Sequence, residues 1–162
     1  MAEGARGPAE YAAQIAAARD RLVGFVHGCT EEQWRSAPLD GDPRPVAVVV
    51  DHVADAYEYL TGWLHELAAG RPVEVNSDVV DALNAEHAAA ATDVSRAAAV
   101  QHLEQSGAAM CELVASLSAA DLAAGEGRAE RLAQVAVRHA DNHRAEIEAA
   151  LAAAADQQAG RS

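Results

Sequence analysis

Lysine is absent from this chain of 162 residues, and all twelve of its basic residues are arginine. With no side-chain amine to offer, the chain excludes Schiff-base chemistry and covalent attachment of pyridoxal phosphate. Positive charge is scarce altogether: twenty-five acidic residues give a formal net charge of -13 and an isoelectric point near 4.8. The arginines gather into no patch, and a surface of this sign repels a phosphate backbone, so nucleic acid is excluded as a partner. Cysteine occurs twice, at Cys29 and Cys111, far apart and in no metal-ligand spacing, which reads as two free buried thiols. Long apolar runs are missing as well. None approaches the roughly 18 to 20 uncharged apolar residues of a membrane span, and the opening "MAEGARGPAE" has no apolar segment of a signal peptide. The expected location is the cytoplasm.

What the chain has in abundance is alanine, 42 residues of it, so a hydrophobic share of 51% overstates the area available for burial. Large apolar side chains are few, and each position they occupy is informative. The length suits one domain over residues 1–162, with a core of about 8–156.

The pattern is helical throughout. Ala, Leu, Arg, Glu and Gln dominate, and the one β-looking stretch, "VAVVV" (Val46 to Val50), runs straight into a helical repeat. The first helix is expected from Pro8 to His27, with Tyr11, Ile15, Ala18, Leu22 and Phe25 on one stripe and Gly28 as its stop. Thr30 and Gln33 form a capping box that predicts a short helical turn before the loop "APLDGDPRP". The second long helix spans Val46 to Ala69 and ends at Gly70, Arg71 and Pro72. A shorter one from Ser77 to Ala91 carries Val80, Leu83 and His87. Ser95 caps the next, which runs to Leu117; Gly107 within its stripe predicts close approach by a neighbouring helix. A loop containing "AAGEGR" leads to the last helix, Ala129 to Ala155, beyond which "DQQAGRS" is expected to fray. The fold class is therefore all-α: a four-helix bundle with an additional short helix.

The last helix raises the question of function. Leu132, Val135, Ala136, His139, His143, Ile147 and Leu151 step by three and four, which places two imidazoles at the centre of its apolar stripe. A buried imidazole without partners costs roughly 1 to 3 kcal/mol. At i and i+4 the two rings project in parallel, about 6 Å apart at Cβ, and both can reach one ion at about 2.0 to 2.1 Å. Two satisfied core histidines, or two solvated ones, are the simpler alternative. A third ligand would favour metal, and both His52, on the flank of the second long helix, and His87 qualify. His27, His65 and His102 read as surface or flank residues, His27 at the C-terminal dipole of its helix.

The segments "VVVDHVADAYEYL", "DALNAEHAAAATDVS" and "HADNHRAEI" resemble the DinB-like superfamily, which includes the metal-binding domain of the mycothiol-dependent maleylpyruvate isomerases. The resemblance extends from Tyr11 to Leu151. It implies a four-helix bundle in which one histidine of the second helix joins two residues one turn apart on the last helix around a divalent metal. Carried across position by position, the ligands would be His52, His139 and His143. Some members have glutamate at the first position of the last-helix pair, where this chain has His139. The additional carboxy-terminal domain of the isomerases is not expected here.

Three imidazoles leave a coordination position open, as catalytic zinc sites do. Asp51, Asp55 and Glu146 could orient the rings from behind, or be solvated charges. Tyr59, Trp63, Asn84 and His87 could line a pocket, or belong to the core or an interface. Zinc or nickel is the expected metal, although three imidazoles also suit iron and copper. Three functions follow: a metal-dependent thiol transferase or isomerase using mycothiol or a similar thiol with an electrophilic substrate, a metal hydrolase using bound water, or a non-catalytic metal-binding bundle. The stripes bearing Tyr57 and Trp63 are wider than one seam requires, which predicts a homodimer.

Overall fold

In the computed structural model, which describes residues 6–161, every regular element is helical: α1 (Pro8–Gly28), α2 (Glu31–Arg35), α3 (Val46–Ala68), α4 (Ser77–Ala90), α5 (Arg96–Ser116), α6 (Ala119–Leu122) and α7 (Ala124–Ala159). Residues 1–5, half of the stretch "MAEGARGPAE" that shows no signal-peptide pattern, and residue 162 lie outside the described residues. "VAVVV" forms the first turns of α3, as expected. Pro45 precedes it at φ -59, a conformation set by its ring and suited to a helix start. All five residues of that stretch are buried.

The four long helices make a closed cycle: α1 packs on α5 and α7, and α3 packs on the same two, so α1 and α3 occupy opposite corners. Their inner faces meet in a core that includes Ile15, Leu22, Val49, Tyr57, Leu64, Leu103, Met110 and Ile147. Burying each aliphatic side chain contributes roughly 1.5 to 3 kcal/mol. Gly107 is the close approach anticipated from the sequence: a Cβ there would stand 2.5 Å from Cδ of Arg19 and 3.6 Å from the ring of Tyr57. No helix is long and apolar enough to cross a membrane.

The cap of α5 forms as expected, with Ser95 Oγ accepting from the Ala98 N–H at 3.1 Å. At α2 both halves of the capping box are made, Thr30 with Gln33. Other expectations need correction. Gly28 is the last residue of α1 rather than a left-handed stop, and Cys29 follows in extended conformation at φ -67. The stretch ahead of the last helix holds a further short helix, α6, for which Ser118 and Asp121 form a capping box. Its four residues are too few to show a period. The carboxy-terminal residues do not fray at Ala155, since alanine and glutamine continue the helix to Ala159.

Two helix faces are buried differently from the expectation. Tyr57 has no solvent exposure and belongs to the core, because Gly107 leaves room for its ring between α3 and α5; it cannot serve a dimer surface. On α7 the fully buried line runs through Ala129, Ala133, Ala136, Ala140 and Ile147, while Val135 is 39% exposed. His139 and His143 are half-buried and sit on the edge of that line rather than at its centre. That edge faces α3.

Candidate metal centre

His52 lies in the second turn of α3, which is buried on nearly every side, and its ring is 4% exposed. From α7, His139 and His143 bring their rings to it one above the other. The ring centroids are 5.0 Å apart for His52 and His139, 5.4 Å for His52 and His143, and 4.6 Å for His139 and His143. One ligand atom from each lies within 4.8 Å of the other two. The shortest approach, Nε2 of His52 to Nε2 of His139, is 3.2 Å. A tetrahedral ion with metal–nitrogen bonds of about 2.0 to 2.1 Å separates its ligand atoms by about 3.3 Å, so this spacing fits. Without an ion the same contact is a hydrogen bond in which one ring donates to the other.

Electrostatics supports ligation. Burial first, then the neighbouring charges of His139, His143 and Arg44, pushes His52 down to about 3. Burial and His143 lower His139 to about 4. Burial and the Arg44 guanidinium also lower His143, against an opposing pull from Glu146. All three rings are therefore neutral at physiological pH, the state in which imidazole offers a lone pair. The donor set fits a divalent transition metal.

The residues expected behind the ligands are arranged differently from the expectation. Asp51 does not meet His52. Its carboxylate accepts from Nε2 of His87 at 3.0 Å and from Nδ1 of His102 at 2.8 Å. His102 also donates through Nε2 to Glu58 at 3.0 Å. Burial opposes a charge on His102, yet the two carboxylates prevail and raise its pKa. His87 is buried, and its ring centroid is 5.7 Å from that of His52. It does not join the converging trio. Glu146 reaches Nδ1 of His143 at 3.5 Å, a loose contact through an exposed carboxylate.

Of the expected pocket residues, Tyr59 and His87 line one hollow of about 350 Å³ together with Asp55, Glu58, Leu83 and Glu86. Burial raises the pKa of Asp55 there. Trp63 packs on Tyr59 with centroids 5.0 Å apart, one step back from the hollow. Asn84 is half-buried on α4, and its Oδ1 has no hydrogen-bond partner.

Two contributors to the site, His102 and Arg44, carry no helical-period signal in the sequence. His102 reads as a flank residue in the sequence because its role depends on how α5 meets α3. Arg44 lies in the loop ahead of α3, clamped by Asp42 through contacts of 2.7 to 3.1 Å, and its charge acts on both His52 and His143. The sequence signal was the D-x-R spacing in "DPR", in which the Arg44 N–H also binds Asp42 Oδ1 at 3.0 Å.

Comparison with known families matches residues 14–147 to the DinB superfamily, a span that contains α3, the hollow and both histidines of α7. The chain belongs to the DinB superfamily. No curated protein and no solved structure matches it significantly. As a DinB superfamily member it has its three converging imidazoles on the two helices, α3 and α7, that the sequence resemblance indicated. The free thiols, buried Cys29 and half-buried Cys111, stand apart from that group, and burial raises the pKa of each.

Proposed function

We propose that this DinB superfamily protein binds one divalent metal ion, zinc or nickel, through His52, His139 and His143, and uses it in a thiol-dependent transfer or isomerisation of a small electrophile. The observation that carries the reading is the trio itself: three neutral imidazoles on two helices, one ligand atom of each within 4.8 Å of the others. Three protein ligands leave room for a small molecule, and a bound divalent ion supplies a Lewis acid that favours the anionic form of a thiol or water at neutral pH. The chain's own thiols are held protonated by burial, so the nucleophile comes from outside. A low-molecular-weight thiol of the mycothiol type is the reading the sequence resemblance favours. The hollow beside His87, with Tyr59 on its wall, supports a place for the second substrate.

The test begins with elemental analysis and calorimetric titration of untagged protein. One ion per chain is expected, with none in His143→Ala of unchanged helicity; full stoichiometry in that variant overturns the assignment. The loaded protein is then offered mycothiol and other thiols with a panel of electrophiles. Turnover should require metal, thiol and His52. Equal turnover without thiol would identify a hydrolase acting through water, and none with any thiol would leave a metal-binding protein without this activity. The assembly proposed is a homodimer in the cytoplasm, with half-buried Trp63 at the contact in place of Tyr57. Light scattering that shows a monomer at tens of micromolar removes it.

A further inference from the structure

Three ring nitrogens of this cluster are buried without a hydrogen-bond partner, Nδ1 of His52, His87 and His143; the last has the Glu146 carboxylate 3.5 Å away, which leaves Nδ1 of His52 and of His87 on adjoining rings. A buried polar atom left unpaired costs about 1 to 3 kcal/mol, so two beside each other call for a common explanation. Their tautomers supply it. The Asp51 carboxylate can only accept, so Nε2 of His87 carries the hydrogen that fills their 3.0 Å contact. In the neutral ring, Nδ1 of His87 is then an acceptor. His52 is the reverse case. If its Nε2, the atom 3.2 Å from His139, presents a lone pair to a metal, its hydrogen must reside on Nδ1. One ring therefore offers a buried donor and the other a buried acceptor, with 5.7 Å between their centroids.

We propose that in the metal-loaded protein the Nδ1–H of His52 donates to Nδ1 of His87, which makes His87 a positioning residue for the metal centre. The inference rests on the metal-site reading above. The chain of contacts then runs from His52 through His87 to Asp51, whose other oxygen is held by His102, itself anchored to Glu58. Metal-bound histidines ordinarily donate their second nitrogen to a carboxylate or carbonyl, which fixes tautomer and ring orientation. Here an imidazole is interposed between ligand and carboxylate. The rival acceptor is Oδ1 of Asn84, one turn before His87 on α4 and also without a partner.

The experiment uses the full chain with zinc as probe. Nuclear magnetic resonance of protein labelled with ¹⁵N-histidine should show His52 protonated at Nδ1, with a slowly exchanging downfield proton that appears on zinc binding. His87→Phe keeps a ring in place but removes the acceptor. It should lose that proton and weaken zinc binding by about ten- to a hundredfold, and His87→Gln, which restores an acceptor, should recover part of the loss. Circular dichroism checks that each variant is helical. Wild-type zinc affinity and an intact Nδ1 proton in His87→Phe overturn the proposal, as does loss of the proton in Asn84→Ala alone. The two readings fail differently: a wild type that binds no zinc overturns both, whereas binding that needs His139 but is indifferent to His87→Phe overturns only this one.

Discussion

Burial is the dominant influence on the ionisable side chains at the centre of this molecule, and its consequences are testable residue by residue. His52 and His139 are held near 3 and 4, below the 6.5 of an unfolded chain. As pH falls below about 6.5 the unfolded state takes up protons that the native rings refuse, and native stability is lost until pH approaches the folded values. The expected slope is roughly 1.4 kcal/mol per pH unit for each ring, within order of magnitude. Urea titrations of metal-free protein at pH 7.5 and 5.5 should give a clearly lower midpoint at the acidic pH; equal midpoints would show that the rings are not held neutral. Tyr57 carries a different burden. Its hydroxyl is buried with no hydrogen-bond partner. Tyr57→Phe removes that unpaired group while keeping the ring against Gly107, and should raise the unfolding free energy by about 1 kcal/mol. A loss of stability would reveal a partner, such as an ordered water.

Helix ends and kinks decide how the elements present these residues. Between α6 and the straight part of α7, Gly125, Glu126 and Gly127 all have positive φ, at 61°, 59° and 76°. This left-handed stretch turns the chain so that α7 can return across α3. Gly125→Ala adds strain at a left-handed position and a Cβ 3.1 Å from Cδ2 of Leu67. It should cost about 1 to 2 kcal/mol, read as a lower urea midpoint with unchanged slope. A silent substitution would mean that the turn relaxes freely. The helix that bears His87 depends on Asn76, whose side chain caps the Val79 N–H at 3.0 Å. Asn76→Ala should cost about 1 kcal/mol. Because only His87 is buried on α4, the loss should appear as faster amide exchange confined to that helix rather than as global unfolding.

At the scale of the whole molecule, the ligands come from α3 and α7, which already pack against each other. A bound ion ties those neighbours together and stabilises the native state by mass action, by about 2.7 kcal/mol when its free concentration is a hundred times the dissociation constant. Zinc should therefore raise the melting temperature reversibly with chelator, and should leave His139→Ala unmoved. A shift of the same size in that variant would place the binding elsewhere. Much of this arrangement is determined by the sequence alone. The helical period, the Thr30 and Ser95 caps and the i, i+4 pair at His139 and His143 are local properties, carried by neighbours a few residues apart, whereas what Gly107 meets, Arg19 of α1 and Tyr57 of α3, is not. The short α6 was legible only through Ser118 and Asp121, because four residues cannot display a period. Which side of a stripe is buried is not local. Tyr57 entered the core, Val135 was left at the surface, and the α7 histidines fell on the edge of the buried line, because each outcome depends on where another helix lies. The same holds for Asp51, which the sequence sets beside His52, yet on a helix adjacent residues point about 100° apart. Only the packing of α4 and α5 against α3 gave that carboxylate to His87 and His102, and so converted a charged neighbour of the ligand into the shared acceptor of two other histidines.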